Sequence, residues 1–247
     1  MNPFIPLKEA NLAIVAANAY KEIFDSLEAL DIEVVPTIKC EDVYDSIAYH
    51  PDIVIHPINH KTLIIAPNVY DYYKEKLAKF NLKLIKGEKY LKSKYPDNIA
   101  YNVGRLSKWA IHNFKHTDRI VKDKLEKENI IQVHVNQGYS KCSMAIIGED
   151  AIITGDEGIY NKLKELSYDV LLIEPGFIFL ENQNYGFIGG TTGSYSKHEI
   201  FFSGNLDKHP SKNQILDFLQ KNNKKPIYLS NKDLSDIGTI ISLYCNK

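Results

Sequence analysis

The chain has 247 residues, of which 44% are hydrophobic and 25% are charged, a composition typical of globular proteins. Its 30 basic and 31 acidic residues are interspersed, so the sequence presents no basic face for a nucleic acid. No apolar run approaches the roughly 18 residues of a membrane span. Three cysteines without metal-ligand spacing, and the absence of a signal-peptide pattern, predict a reduced, cytoplasmic protein with no metal and no cofactor.

The predicted elements in chain order suggest a repeated unit. The first unit has a strand at 12–16, a helix with Ile23, Leu27 and Leu30 on one face, and a strand at 32–35. Each of the next four units has two strands, a helix and a third strand, and Asp156 is predicted to cap the helix of the fourth unit. The first strands of these four units are predicted at 52–58, 98–103, 144–147 and 185–190.

A single strand is left over at 238–244, and the first unit lacks one strand. The units begin at intervals of roughly 40–50 residues, within the range of propeller-like repeats. We therefore predict one domain over residues 1–247. Its fold class is α/β, a five-fold pseudo-symmetric propeller that is closed by pairing of the N- and C-terminal segments. The alternative is an open α/β sheet with irregular crossovers, which explains the doubled strand before each helix less well.

In a closed ring, equivalent positions at the starts of the first strands converge on a central pore. A lone aspartate before a strand is ordinarily a turn or cap residue, and a lone cysteine there is ordinarily a small core residue. Convergence on a pore would instead place several carboxylates, a thiol and a lysine together. The aligned positions are Asp52, Asp97, Cys142 (or Lys141), Tyr185 (or Asn184) and Asp236.

The five-unit plan resembles the pentein superfamily of guanidino-group-modifying enzymes. The segments 137–143 (QGYSKCS) and 184–190 (NYGFIGG) are similar to those of an uncharacterised domain family within that superfold. In the catalytic members, carboxylates hold the planar guanidinium through paired hydrogen bonds, and a thiolate attacks its central carbon. A histidine then protonates the departing amine and activates water.

The resemblance implies a role for each candidate residue. Cys142 is the candidate nucleophile, with Lys141 alongside, and His56 and His50 are candidate acid–base groups. Asp52, Asp236 and Asp97 are candidate holders of the guanidinium. Arg105, in a predicted turn, could clamp a substrate carboxylate, and Gly190 belongs to a glycine pair similar to an acidic glycine-rich motif of the deiminases.

Two features depart from the pattern of the resembling enzymes. Their nucleophilic cysteine lies in the last repeat, where this chain has no cysteine in 236–242, and the glycine pair lacks its acid. Two hypotheses follow. The first is a thiol-dependent hydrolase or transferase acting on a guanidino or amidino compound in the central pore. The second is a non-catalytic module that binds a small cationic metabolite or serves as a scaffold.

Overall fold

The computed structural model describes residues 1–245, and this part of the chain contains five separate three-stranded sheets. The strands are three to five residues long and nearly all buried on at least one face. In chain order they are β1 (Leu12–Val15), β2 (Glu33–Pro36), β3 (Ile55–Asn59), β4 (Thr62–Ile65), β5 (Lys83–Lys86), β6 (Gly104–Leu106), β7 (Trp109–His112), β8 (Ile131–His134), β9 (Met144–Ile146), β10 (Ala151–Thr154), β11 (Asp169–Leu172), β12 (Thr192–Ser194), β13 (Glu199–Phe202), β14 (Lys225–Tyr228) and β15 (Ile241–Leu243).

One helix of seven to ten residues precedes the third strand of each sheet, and two further helices of a single turn lie elsewhere. Short 3-10 turns occur at Asp45–Ile47, Pro67–Val69 and Ile188–Thr191. None of the helices in residues 1–245 has the length and apolar character needed to cross a bilayer. The helices are α1 (Lys21–Glu28), α2 (Pro51–Val54), α3 (Tyr70–Lys76), α4 (Arg119–Lys127), α5 (Ser140–Ser143), α6 (Glu157–Glu165) and α7 (Lys212–Lys221).

All five sheets share one topology. The first strand is antiparallel to the second, and the second is parallel to the third across a helical connection, as in the order β9–β10–α6–β11. In the sheet that contains β1, the position of the first strand is taken by β15, which pairs antiparallel with β1 through Leu12–Leu243 and Ile14–Ile241. The predicted pairing of the two ends of the chain is therefore present.

The helices follow from short amphipathic patterns with polar caps. In α6, Ile159 and Leu163 are buried, and the Asp156 carboxylate accepts a hydrogen bond from the Ile159 N–H, as predicted. In α4 the Asp118 carboxylate accepts a hydrogen bond from the Val121 N–H.

The residues just before the first strands differ most from the structure that their sequence predicts. Residues 52–54 and 188–190 were predicted as strand but lie in the helical turns Pro51–Val54 and Ile188–Thr191, and 98–103 is also irregular. These segments are buried and apolar, and periodicity alone cannot separate a buried strand from one buried helical turn. In the second sheet, Pro51 at the first helical position favours the turn, because proline lacks the N–H that would be unsatisfied there.

Candidate active site

Five short segments meet where the first strands of the sheets begin. We call them the entry turns: residues 51–54 before β3, 98–102 before β6, 140–143 before β9, 188–191 before β12 and 236–239 before β15. Each entry turn is hydrogen-bonded to the next, and the circuit returns to its start. The bonds run from Asp52 N to Gly238 O (3.1 Å), Asn102 Nδ2 to Asp52 O (3.2 Å), Lys141 N to Asn102 O (3.2 Å), Lys141 Nζ to Gly189 O (3.4 Å) and Thr239 N to Gly190 O (3.0 Å).

Cys142 lies on α5 with its thiol inside this circuit. Its Sγ is 3.0 and 3.2 Å from the two carboxylate oxygens of Asp52, to which the thiol donates. Asn102 donates from Nδ2 to the same sulfur at 3.3 Å, and its Oδ1 accepts the backbone N–H groups of Lys141 and Cys142. Asn102 thereby fixes both the backbone and the sulfur of Cys142.

Lys141 precedes Cys142 on α5 and is equally buried. Its ammonium donates to the Thr239 hydroxyl at 2.9 Å, and that hydroxyl donates to Asp52 Oδ2 at 2.7 Å. The Phe4 ring lies 5.1 Å from the Lys141 nitrogen, a cation–π distance. Lys141 is thus a fixed internal counter-charge that reaches the Asp52 carboxylate through one hydroxyl group.

Asp236 supplies the second buried carboxylate of the site. Its two oxygens accept from the backbone N–H groups of Phe187 (2.8 Å) and Gly238 (3.0 Å). His50 Nδ1 lies 3.8 Å from Asp236 Oδ1 and has no hydrogen-bond partner among residues 1–245. Gly190 contacts this carboxylate directly, because a Cβ at that position would overlap Asp236 Oδ1.

Burial dominates the electrostatics of the group. It raises the pKa of Asp52 to about 6, although the charges of His50 and Lys141 oppose the shift. Burial, together with the charges of Asp52 and Asp236, raises the pKa of Cys142 well above its usual value. Burial also lowers the pKa of Lys141, against the attraction of Asp52. Cys142 is therefore a protonated thiol that donates a hydrogen bond to Asp52, a carboxylate whose pKa is itself raised.

A cavity of about 160 Å³ reaches the site from the surface, and His50 and Asp236 are among the residues that line it. Cys142 is only 2% exposed and does not line the cavity. Its sulfur nevertheless lies within 4.8 Å of ligand atoms of both His50 and Asp236. The thiol is therefore one side-chain layer beneath the inner end of the cavity.

The same three residues could act together on a metal ion. One atom each of His50, Cys142 and Asp236 lies within 4.8 Å of the other two, and nitrogen, sulfur and carboxylate oxygen are the ligands that Zn²⁺ takes in proteins. The Asp52 carboxylate, in contact with the cysteine sulfur, would be a fourth donor. Thiol chemistry and metal binding would therefore compete for the same atoms.

The structure brings together six of the sequence-predicted site residues and places the other three elsewhere. Those that meet around the entry turns are Cys142, His50, Asp52, Asp236, Lys141 and Gly190.

The position predicted for Asp97 was wrong. Its side chain is 45% exposed and lies 3.7 Å from the ammonium of Lys89. Its expected place near Asp52 is taken by Asn102, five residues further along the chain. The error has the same origin as the strand error, since 98–102 is an irregular turn that moves the start of β6 to Gly104.

Arg105 and His56 form a separate buried group. Arg105 lies in β6 rather than in a turn, and its guanidinium donates to the Ile58 carbonyl at 3.1 Å, where burial lowers its pKa to about 10. Burial and the nearby charge of Arg105 hold the pKa of His56 well below its usual value. Arg105 is therefore not available as a surface clamp. Neither ring nitrogen of His56 has a hydrogen-bond partner within residues 1–245 through which it would act on Cys142.

Sequence reasoning missed Asn102, Thr239 and two tyrosines. Asn102 was placed in a strand, and Thr239 has a left-handed backbone with φ of 72°, which nothing in the sequence indicates for a threonine. The hydroxyl groups of Tyr44 and Tyr139 lie 3.2 Å apart, and the pKa values of both are raised, mainly by burial and also by the nearby Cys142 sulfur. The only signal for Tyr139 was its place in the segment 137–143.

The model of one protein family matches residues 14–241, nearly the whole chain; its description is a family of unknown function (DUF6873). No curated protein sequence matches the chain.

Solved structures with similar folds include enzymes that act on guanidino or amidino groups. The agmatine deiminase of C. jejuni has a TM-score of 0.58 at 12% identity, with 98% of this chain and 96% of that chain covered. SxtG, an amidinotransferase from Microseira wollei in the saxitoxin biosynthetic pathway, has a TM-score of 0.56 at 13% identity, covering 96% and 92%. DDAH from Pseudomonas aeruginosa has a TM-score of 0.55 at 11% identity, covering 95% and 98%. The chain therefore shares its fold with these enzymes, which is the fold that the resemblance implied.

Proposed function

Because the chain belongs to the family of unknown function DUF6873 and has the pentein fold, we propose that it is a thiol-dependent enzyme that hydrolyses or transfers the amidino group of a guanidino compound. The observation that carries the proposal is the position of the Cys142 sulfur. It lies against the carboxylate of Asp52 and within 4.8 Å of ligand atoms of His50 and Asp236, which line the cavity.

The proposal includes a closed ring. Each entry turn is hydrogen-bonded to the next, and β15 completes the sheet of β1, so the five sheets surround one axis as a single domain. This axis is the place where the small-molecule ligand binds, between Asp52 and Asp236. The free thiols of Cys40, Cys142 and Cys245 suit a reducing compartment, and we place the protein in the cytoplasm.

A guanidinium bound between the two carboxylates would supply the positive charge that the thiol lacks. The pKa of Cys142 is raised partly by the negative charges of Asp52 and Asp236. A planar cation paired with both carboxylates offsets those charges and favours the thiolate. Activation of the nucleophile then depends on the substrate, and the thiol stays protonated while the site is empty.

The chemical steps balance with the residues present. The Cys142 proton passes to Asp52, 3.0 Å away, and the sulfur forms a bond to the central guanidino carbon. A C–N bond breaks as protonated His50 gives its proton to the departing nitrogen. Water, or an acceptor amine in a transferase, then attacks the same carbon while His50 takes up its proton. The S–C bond breaks, and the sulfur regains the proton held by Asp52.

The nucleophile in this proposal lies on the fourth unit rather than the last. The last entry turn carries Thr239, whose hydroxyl joins Lys141 to Asp52. A ring of equivalent turns allows a thiol on any one of them to face the same axis. The displacement therefore changes the direction from which the sulfur approaches the substrate.

A second function, binding without turnover, is favoured by the burial of the same sulfur. Cys142 is 2% exposed, and its raised pKa keeps it protonated in the empty site. Such a thiol would serve as a hydrogen-bond donor that keeps Asp52 in position beneath a bound cation.

One comparison of variants separates the two functions. Guanidino compounds are incubated with the protein, alone and with acceptor amines, and release of ammonia or amine is followed together with transfer of the amidino group. Turnover that is lost in Cys142→Ala and kept in Cys40→Ala supports the enzyme, since Cys40 is also a buried free thiol but lies outside the site. If the wild-type protein and Cys142→Ala both bind guanidino compounds but neither turns them over, the enzyme hypothesis is overturned and the binding module is supported.

A further inference from the structure

The cavity above the thiol has a one-sided charge distribution. Three carboxylate side chains line it, those of Asp45, Glu181 and Asp236, together with His50, and no lysine or arginine does so within residues 1–245. Asp236 and His50 form the buried inner end, whereas Asp45 and Glu181 are exposed. A ligand that occupies the cavity therefore meets negative charge both at the inner end and at the outer end.

An unpartnered polar group lies at the inner end of the cavity. His50 is 3% exposed, and its Nδ1 has no hydrogen-bond partner among the described residues. A buried polar atom without a partner costs stability, which a bound ligand would recover. This orphaned nitrogen, rather than the acidic residues by themselves, marks the cavity as a ligand site.

Two lysines that contact residues of the cavity lining are already engaged. Lys39 lies 3.1 Å from Asp45 and 3.2 Å from Glu41, so one lysine is shared by two carboxylates. Lys232 lies over the ring of Tyr20 and 3.5 Å from Glu22.

The two arginines of the chain are also committed. Arg105 is buried against the Ile58 carbonyl, and Arg119 is paired with Glu88 and Asp123. Because no lysine or arginine of residues 1–245 lines this cavity, a substrate carboxylate there would face carboxylates instead of a basic side chain.

We propose that the ligand is a guanidino compound whose other end carries a second positive charge instead of a carboxylate, in chemical terms a guanidinoalkylamine. This inference rests on the proposed function, because it assumes that the guanidinium binds between Asp52 and Asp236. The second cation then lies near Glu181, because Asp45 is already paired with Lys39. The volume of about 160 Å³ is below the usual 300–1,000 Å³ of ligand pockets and suits a small aliphatic molecule.

The test is a set of calorimetric titrations with compounds that differ in one group. The probes are 4-guanidinobutylamine, butylguanidine, 4-guanidinobutyric acid and 1,4-diaminobutane, titrated into the wild-type protein at low and at physiological salt. We expect 4-guanidinobutylamine to bind at least about tenfold more tightly than 4-guanidinobutyric acid, and the difference to shrink as salt is added. Butylguanidine should bind with intermediate affinity.

Two variants locate the second charge. Glu181→Gln should reduce the preference for the amine over the acid by about two- to fivefold, the effect expected of one exposed ion pair. Glu174→Gln is the matched control, because Glu174 is an exposed acid that lines a neighbouring cavity and not this one. It should leave the preference unchanged.

The possible results separate this inference from the proposed function. Equal binding of 4-guanidinobutylamine and 4-guanidinobutyric acid would overturn the inference and leave the guanidinium site intact. If 1,4-diaminobutane binds as tightly as 4-guanidinobutylamine, the site does not recognise the guanidinium group and the proposed function is overturned. Failure of every guanidino compound to bind would do the same.

Discussion

Replacing Asp52 by asparagine removes the one carboxylate that contacts the Cys142 sulfur, while keeping the shape of the side chain. Burial raises the pKa of Asp52 from 3.8 to about 6 in the folded protein. The folded state therefore holds the Asp52 proton more tightly than the unfolded state does. The resulting stabilisation is fully present below pH 3.8 and is lost as the pH rises through about 6. The asparagine variant cannot show this loss.

The magnitude follows from the size of the shift. A shift of about two pKa units corresponds to at most about 3 kcal/mol, at 1.36 kcal/mol per unit. Between pH 4 and pH 7 the difference in proton binding integrates to about 2 kcal/mol. The free energy of unfolding of the wild type should therefore fall by about 2 kcal/mol relative to that of Asp52→Asn over this range.

Urea denaturation at pH 4, 5, 6 and 7 measures the effect, with the free energy of unfolding taken from the midpoint and slope of each curve. Asp97→Asn is the matched control, because its side chain is 45% exposed and lies outside the site. Its pH dependence should run parallel to that of the wild type. Parallel curves for wild type and Asp52→Asn would refute a raised pKa at Asp52, and with it the proton transfer from Cys142.

Three further predictions concern neighbouring groups. His50→Gln should lower kcat by about 100-fold or more in steady-state assays, as expected for loss of a general acid and base, and a kcat within threefold of wild type would remove His50 from the chemistry. Lys141→Met should cost about 3 kcal/mol of stability in urea denaturation, because it leaves Asp52 buried without its nearby cation, and an unchanged midpoint would contradict that role. Turnover should survive dialysis against a chelator, whereas activity that is lost with the chelator and restored by Zn²⁺ would identify Cys142 as a metal ligand.

The repeated plan was accessible from the sequence because it rests on hydrophobic runs and their spacing. Strands such as Ala151–Thr154 are bounded by polar residues, and β15 was identified as the partner of the first unit by counting strands. The positions of Cys142 and Asp52 at the mouths of two strands then suggested that they would meet. The structure places the sulfur 3.0 Å from the carboxylate.

The remainder depends on tertiary contacts that leave little trace in the sequence. Asn102 replaces Asp97 because an irregular turn, not a strand, precedes β6, and hydrophobic periodicity cannot resolve one turn. Thr239 occupies a left-handed conformation, in which its N–H donates to the carbonyl of Gly190 on a neighbouring entry turn. The choice between His50 and His56 depends on which side of a five-residue segment faces the axis, and both histidines are buried.

The most direct test of the central claim compares how two alkylating reagents modify Cys142, read by peptide mass mapping. 2-Chloroacetamidine carries a planar amidinium charge, whereas 2-chloroacetamide has nearly the same shape and is neutral. We predict that the amidine modifies Cys142 at least about tenfold faster than the amide does, that Asp236→Asn removes the difference, and that Cys40 and Cys245 show no preference. If neither reagent modifies Cys142 until the protein unfolds, Cys142 is a core residue and the thiol mechanism is wrong.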